Sequence, residues 1–201
     1  MIRQANPAIT DADILNYALT LEHLEDTFYR EGLANFTADQ FASAGFDATF
    51  YANLKEVSSD ETTHVSFLTA ALTAAGATPV AACTYDFGAL TPATFVATAS
   101  ILEGVGVSAY LGAAADIMSA AYLTAAGSIL TVESRHSSYI RASLGESPFP
   151  SPFDVPLSLD EVYTLAAPFI VSCPSTNPTL PVKVRFRHIS AKRLKICSLN
   201  V

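Results

Sequence analysis

The chain has 201 residues, 50% of them apolar and only 15% charged, so it can bury a sizeable core and is too hydrophobic to stay unfolded. All 19 acidic residues but only five of the 11 basic ones precede position 183, and this acidic body excludes nucleic acid as the domain's partner. Trp is absent and Ala abundant, a mix that favours packed helices over sheet.

The first long helix is predicted over 11–32. Asp11 serves as N-cap, Leu15, Ala18, Leu19, Leu21, Leu24 and Phe28 recur at helical spacing, and Gly32 is the stop. A short helix over 37–44 follows, capped by Thr37. The second long helix spans 47–75 and closes at Gly76, with Pro79 beyond. Thr91 and Pro92 open the third, which continues to about residue 115. The fourth spans 120–144 and ends at Gly145. A Pro-rich stretch, a short helix over 157–171 and a second Pro-rich stretch complete the body.

Connection lengths limit the topology. The break at 116–119 makes the third and fourth helices antiparallel neighbours. The stretch 77–90 reaches about 45 Å when extended, as long as a helix of about 30 residues. It can therefore start the third helix parallel to the second. The expected architecture is all-α: a four-helix bundle with one long crossover over 11–145, a Pro-rich C-terminal segment packed on it over 146–182, and a disordered or atypical basic tail over 183–201. The apolar stretch 90–115 is long enough for a membrane, but Glu103 at its centre argues against a transmembrane span.

Acids and histidines interrupt the apolar faces. The second helix carries Glu61-Thr62-Thr63-His64 and the fourth Glu133-Ser134-Arg135-His136. Glu and His three apart project from one helix face, so both can bind one ion. The first helix carries Glu22 and the third Glu103, all near mid-helix. Two such pairs plus one Glu on each remaining helix is the di-metal carboxylate pattern. Oxygen donors with imidazole suit two iron ions, with manganese or zinc as alternatives. Single E-x-x-H matches occur often by chance, and a metal-free polar core of Glu and His is the competing reading. Residues 1–150 hold only Arg3, Arg30, Lys55, Arg135 and Arg141 as cations, so several buried carboxylates would lack partners.

Tyr29 follows Glu22 by seven residues and Tyr110 follows Glu103 by seven. Seven residues are about two turns, placing each Tyr on its glutamate's face as a redox or tuning group. Glu25 competes with Glu22 for the first-helix role and is otherwise a supporting or surface group. His23 is expected at the bundle surface or an interface, Asp60 facing away, and Glu56 and Asp116 in solvent.

The stretches ILNYALTLEHLEDTFY (14–29), DETTHVSFLTAALTAAG (60–76), ILEGVGVSAYLGA (101–113), ILTVESRHSSYIR (129–141) and SPFPSPFDVPLSLDEVYTLAAPFIVSCP (147–174) resemble the ferritin-like proteins of fungal stress and starvation response and the plant desiccation-related proteins. The likeness covers roughly 11–182 and the bundle it implies is ferritin-like. It implies a di-iron ligand set of Glu22, Glu61, His64, Glu103, Glu133 and His136. The metal pattern itself suggests an oxidoreductase of ferroxidase or peroxidase type with dioxygen or peroxide as substrate, and the alternative is a non-enzymatic stress protein using the bundle as scaffold. A homodimer is a candidate partnership. Family members commonly begin with a secretion signal, and residues 1–10 show no apolar core for one. If a signal has been removed, the protein is secreted or cell-wall associated and Cys83 and Cys173 form a disulfide. Otherwise it is cytoplasmic and both are buried thiols.

Overall fold

A computed structural model describes residues 9–183. The expectations for the first residues and for the basic tail beyond Lys183 lie outside that range.

Helix α1 spans Asp11–Asn35, α2 Ala38–Ser43, α3 Ala48–Ala74, α4 Pro92–Ala113, α5 Ala120–Ser143 and α6 Leu159–Ala166. Thr37, Asp47 and Thr91 cap α2, α3 and α4 with their side-chain oxygens, and Pro92 opens α4 where a missing N–H costs nothing. Gly76 and Gly145 follow α3 and α5 with φ of 72° and 76°, the left-handed conformation that ends a helix.

Two assignments on α1 change. Thr10, not Asp11, is the N-cap, closing a capping box with Asp13. Asp11 instead accepts from the backbone N–H groups of Met118 and Ser119 at the start of α5. Gly32 does not stop the helix. It lies under the Phe95 ring, where a Cβ would sit 2.0 Å from a ring carbon, so the glycine serves a close approach to α4.

Helix α1 packs on α3 and α4 on α5. Phe28 stacks on Phe95 at 4.4 Å and Phe50 on Tyr139 at 5.7 Å, so the C-terminal halves of α1 and α5 meet the N-terminal halves of α3 and α4. Ala18, Leu68, Ala113 and Ala126 line one space at the other end. Helices α1 and α5 therefore run one way and α3 and α4 the other, and the connection after α3 carries the chain back along the bundle. Among the described residues one helical run, Pro92–Asp116, is long and apolar enough to cross a membrane, but 50% of its most apolar stretch is buried inside the bundle.

The C-terminal segment departs from expectation. The helix expected over 157–171 is only α6, followed by a 3-10 turn, Ala167–Phe169, and a strand β2, Ile170–Ser172. Strand β2 pairs antiparallel with β1, Thr84–Tyr85, inside the crossover. Beside this pair Cys83 and Cys173 form a disulfide with Cα atoms 4.2 Å apart. The Leu157 N–H donates to Ser108 O on α4, and Gly112 permits that contact, since a Cβ there would meet Leu157 O at 1.8 Å.

Candidate metal centre

The site lies halfway along the bundle. Glu22 from α1, Glu61 from α3, Glu103 from α4 and Glu133 from α5 are fully buried, and His64 and His136 nearly so. His64 Nδ1 lies 3.0 Å from Glu61 Oε2, 3.2 Å from Glu22 Oε2 and 3.4 Å from Glu133 Oε1. His136 Nδ1 lies 3.0 Å from Glu61 Oε1 and 3.2 Å from Glu103 Oε2. The two oxygens of Glu61 thus face different histidines. Two donor groups result, Glu22–Glu61–His64–Glu133 and Glu61–Glu103–Glu133–His136, each with its ligand atoms within 4.8 Å of one another. Glu61 and Glu133 belong to both.

Helix periodicity explains the convergence. Each E-x-x-H pair spans three residues, close to one turn, so its two side chains leave the helix side by side. Gly106, two residues before Ser108 on α4, makes room for the rest. A Cβ on Gly106 would stand 2.8 Å from Glu133 Oε2 and 3.3 Å from Glu25 Oε1. The one sequence signal for this role is a glycine inside a helix, which often marks a close approach.

Several cluster atoms are buried without a hydrogen-bond partner: Glu61 Oε1, Glu103 Oε2, both oxygens of Glu133 and His136 Nδ1. The carboxylate oxygens among them are electron-pair donors facing one another, and each imidazole joins them once it gives up its proton. The ion pairs recorded at the cluster among the described residues involve its own histidines only, while Arg30 is held by Asp26 and Arg141 by Glu146. Burial and then Glu133 push the Glu61 carboxyl up to about 8. Burial also raises Glu103 and Glu133, the latter with Glu103 as its next cause. Burial opposes charge on His64, but Glu133, Glu22 and Glu61 outweigh it and bring the imidazole to about 12. His136 rises likewise to about 11 against its burial, through Glu103 and Glu61. For the chain alone, protons must neutralise the carboxylates. A cation does the same work with the donor set already in place, so the cluster can hold a metal ion and the residues fit one.

The surrounding groups correct several expectations. Tyr29 donates to Glu103 and Tyr110 to Glu22, so each phenol serves the glutamate of the other helix. Asp60 does not face away: its Oδ2 lies 3.2 Å from His136 Nε2, the outer contact that aims a ring's other nitrogen inward. Glu25 is buried beside the cluster, its carboxyl raised by burial and then by Glu133. His23 is half-buried and holds the crossover, with Nε2 3.1 Å from Val80 O. Glu56 is exposed as expected and Asp116 half-buried.

A buried carboxylate–histidine cluster at the middle of a four-helix bundle with one crossover defines the ferritin-like class. The chain belongs to the ferritin-like domain family, whose model matches residues 10–146. It is also similar to protein rds1 of Schizosaccharomyces pombe, with 28% identity over 170 residues covering 85% of this chain. The chain spans only 42% of that relative's length.

Proposed function

We propose that the protein is a di-metal oxidoreductase, with two iron ions as its preferred occupants, that reduces dioxygen or peroxide. The observation that supports this reading above all is the pair of donor groups sharing Glu61 and Glu133. Glu22 and His64 would serve one ion, Glu103 and His136 the other, and the two shared glutamates both. Redox-active ions held there would supply the electrons that reduce the oxidant. The chain's own residues set the conditions. The Tyr29 and Tyr110 hydroxyls hold a proton against Glu103 and Glu22 and fix which oxygen each carboxylate turns inward. Asp60 orients His136. The packed rings of Phe28, Phe95 and Phe41 close one end of the bundle to water. Removing dioxygen or peroxide would suit the stress setting that the resemblance implies.

The test is metal analysis of protein purified without chelators, followed by addition of ferrous ion and dioxygen. Two ions per chain and oxygen-dependent oxidation are expected, with the second ion lost in Glu61→Gln or Glu133→Gln. Bound metal without any oxidation would leave the ions as a structural staple and remove the enzymatic reading.

A further inference from the structure

The two ends of the bundle differ. Beyond the cluster on the side away from the aromatic rings, α1, α3, α4 and α5 line a partly open cavity of about 20 Å³. Its walls include Ala18, Leu21, Leu68, Ala126 and Tyr110, and the half-exposed Phe67 lines its outer side. The alanines create it, because helix positions that face a core usually carry larger side chains. The cavity also lies next to the cluster. Ala18 stands one turn before Glu22, Leu68 one turn after His64, and the Tyr110 hydroxyl bonds Glu22 itself.

Size and chemistry limit the occupant. Roughly 10–15 Å³ suffices for one water-sized molecule, so a single small guest fits. The lining is almost wholly apolar. A buried water needs about two to four polar contacts, which this lining does not supply. Hydrogen peroxide, with two O–H groups to desolvate, would lose more on entering than a molecule that makes no hydrogen bonds. Dioxygen is uncharged, diatomic and loses none. A second cavity of similar size, on the α6 side, is nearly as apolar, but its lining includes Glu25.

We infer that the alanine-lined cavity is a dioxygen docking site that feeds the carboxylate–histidine cluster, which makes dioxygen rather than peroxide the oxidant delivered from this end. The inference rests on the di-metal reading above. Xenon, an apolar atom of similar size, is the probe that needs no turnover. Crystals of the parent under xenon pressure should show xenon between Leu68 and Ala126, and the Ala126→Leu variant should show none. With ferrous ion loaded, Ala126→Leu should slow oxidation by dioxygen about tenfold, leave metal stoichiometry unchanged, and leave oxidation by hydrogen peroxide within about twofold. Ala113→Val, a smaller change on the same wall, should give the same ordering if the larger side chain prevents folding. No xenon in the parent overturns the inference, as does an unchanged dioxygen rate in a variant that has lost xenon, or an equal loss with peroxide. A parent that binds no metal removes the proposed function and this inference together, and is told apart from the other failures by its metal content alone.

Discussion

The hydroxyl of Tyr29 donates to the carboxylate of Glu103, across the bundle from its own helix. Tyr110 returns the contact to Glu22, so the first and third long helices are cross-linked at the level of the cluster by two phenol–carboxylate hydrogen bonds. All four groups are almost fully buried. Losing one hydroxyl therefore strands a buried carboxylate oxygen, which costs about 1–3 kcal/mol.

Tyr29→Phe should lower the free energy of unfolding by that amount, measured by urea denaturation. A double-mutant cycle identifies the partner. Tyr29→Phe combined with Glu103→Gln should be non-additive by about 0.5–3 kcal/mol, and combined with Glu22→Gln it should be near additive. The reverse pattern would contradict the crossed pairing.

The two glycines of the α4 run Glu103-Gly104-Val105-Gly106 should respond oppositely to alanine. Nothing lies within 4 Å of a Cβ on Gly104, so Gly104→Ala should stabilise by about 0.5–1 kcal/mol through helix propensity. Gly106→Ala puts a methyl 2.8 Å from Glu133 Oε2. It should displace that carboxylate, cancel the propensity gain and cut metal content, which thermal melts and metal analysis of the two variants would compare. Equal metal content in both would show that Glu133 has room to spare.

Part of this was legible in the sequence and part was not, for physical reasons. Caps such as Thr37 and Thr91 are local chemistry, and the E-x-x-H spacing fixes a face whatever the tertiary structure. A face does not name a partner. The seven-residue interval correctly pointed Tyr29 and Tyr110 inward, but which glutamate each reaches depends on how the helices lie against each other. Asp60 was misplaced for a related reason: adjacent helix residues diverge by about 100°, yet α5 brings the outer nitrogen of His136 to meet it. Gly32 shows the same confusion in the fold. A glycine that ends a helix and one that lets a ring approach look alike until Phe95 is in place. The pairing of β1 with β2 joins segments of two and three residues far apart in the chain, too short for any periodic signal.

The Cys83–Cys173 disulfide closes a loop of 90 residues between the crossover and the end of β2. Restricting the unfolded chain over a loop of this length stabilises by roughly 4–5 kcal/mol. Denaturation with and without reductant should differ by about that much, and the Cys83→Ser, Cys173→Ser double variant should match the reduced protein. Because the bond ties the C-terminal segment to the crossover and not to the cluster, metal content should survive reduction. Loss of metal on reduction would mean that the segment helps hold α4 in place.

The last prediction turns on protons and metal competing for the same atoms. In the folded chain the Glu61 carboxyl is pushed up to about 8 from an ordinary 4.5, by burial and then Glu133. Between those values the folded state holds a proton that the unfolded state has released. His64 and His136, at about 12 and 11 against an ordinary 6.5, keep their protons on folding too, because neighbouring carboxylates outweigh burial. All three shifts have one sign. Their contribution is complete below the unfolded values and is lost as pH rises through the folded ones, so chelator-treated protein should melt at progressively lower temperature from about pH 5 to pH 8. Metal binding requires those same groups to give up their protons, so the stabilisation it adds should grow over the same interval. The gap between the melting temperatures of loaded and chelated protein should therefore widen with pH. In His64→Ala, with one nitrogen donor gone, the widening should shrink markedly. Loaded and chelated protein that melt in parallel across the range would show that the ions bind elsewhere than at this cluster.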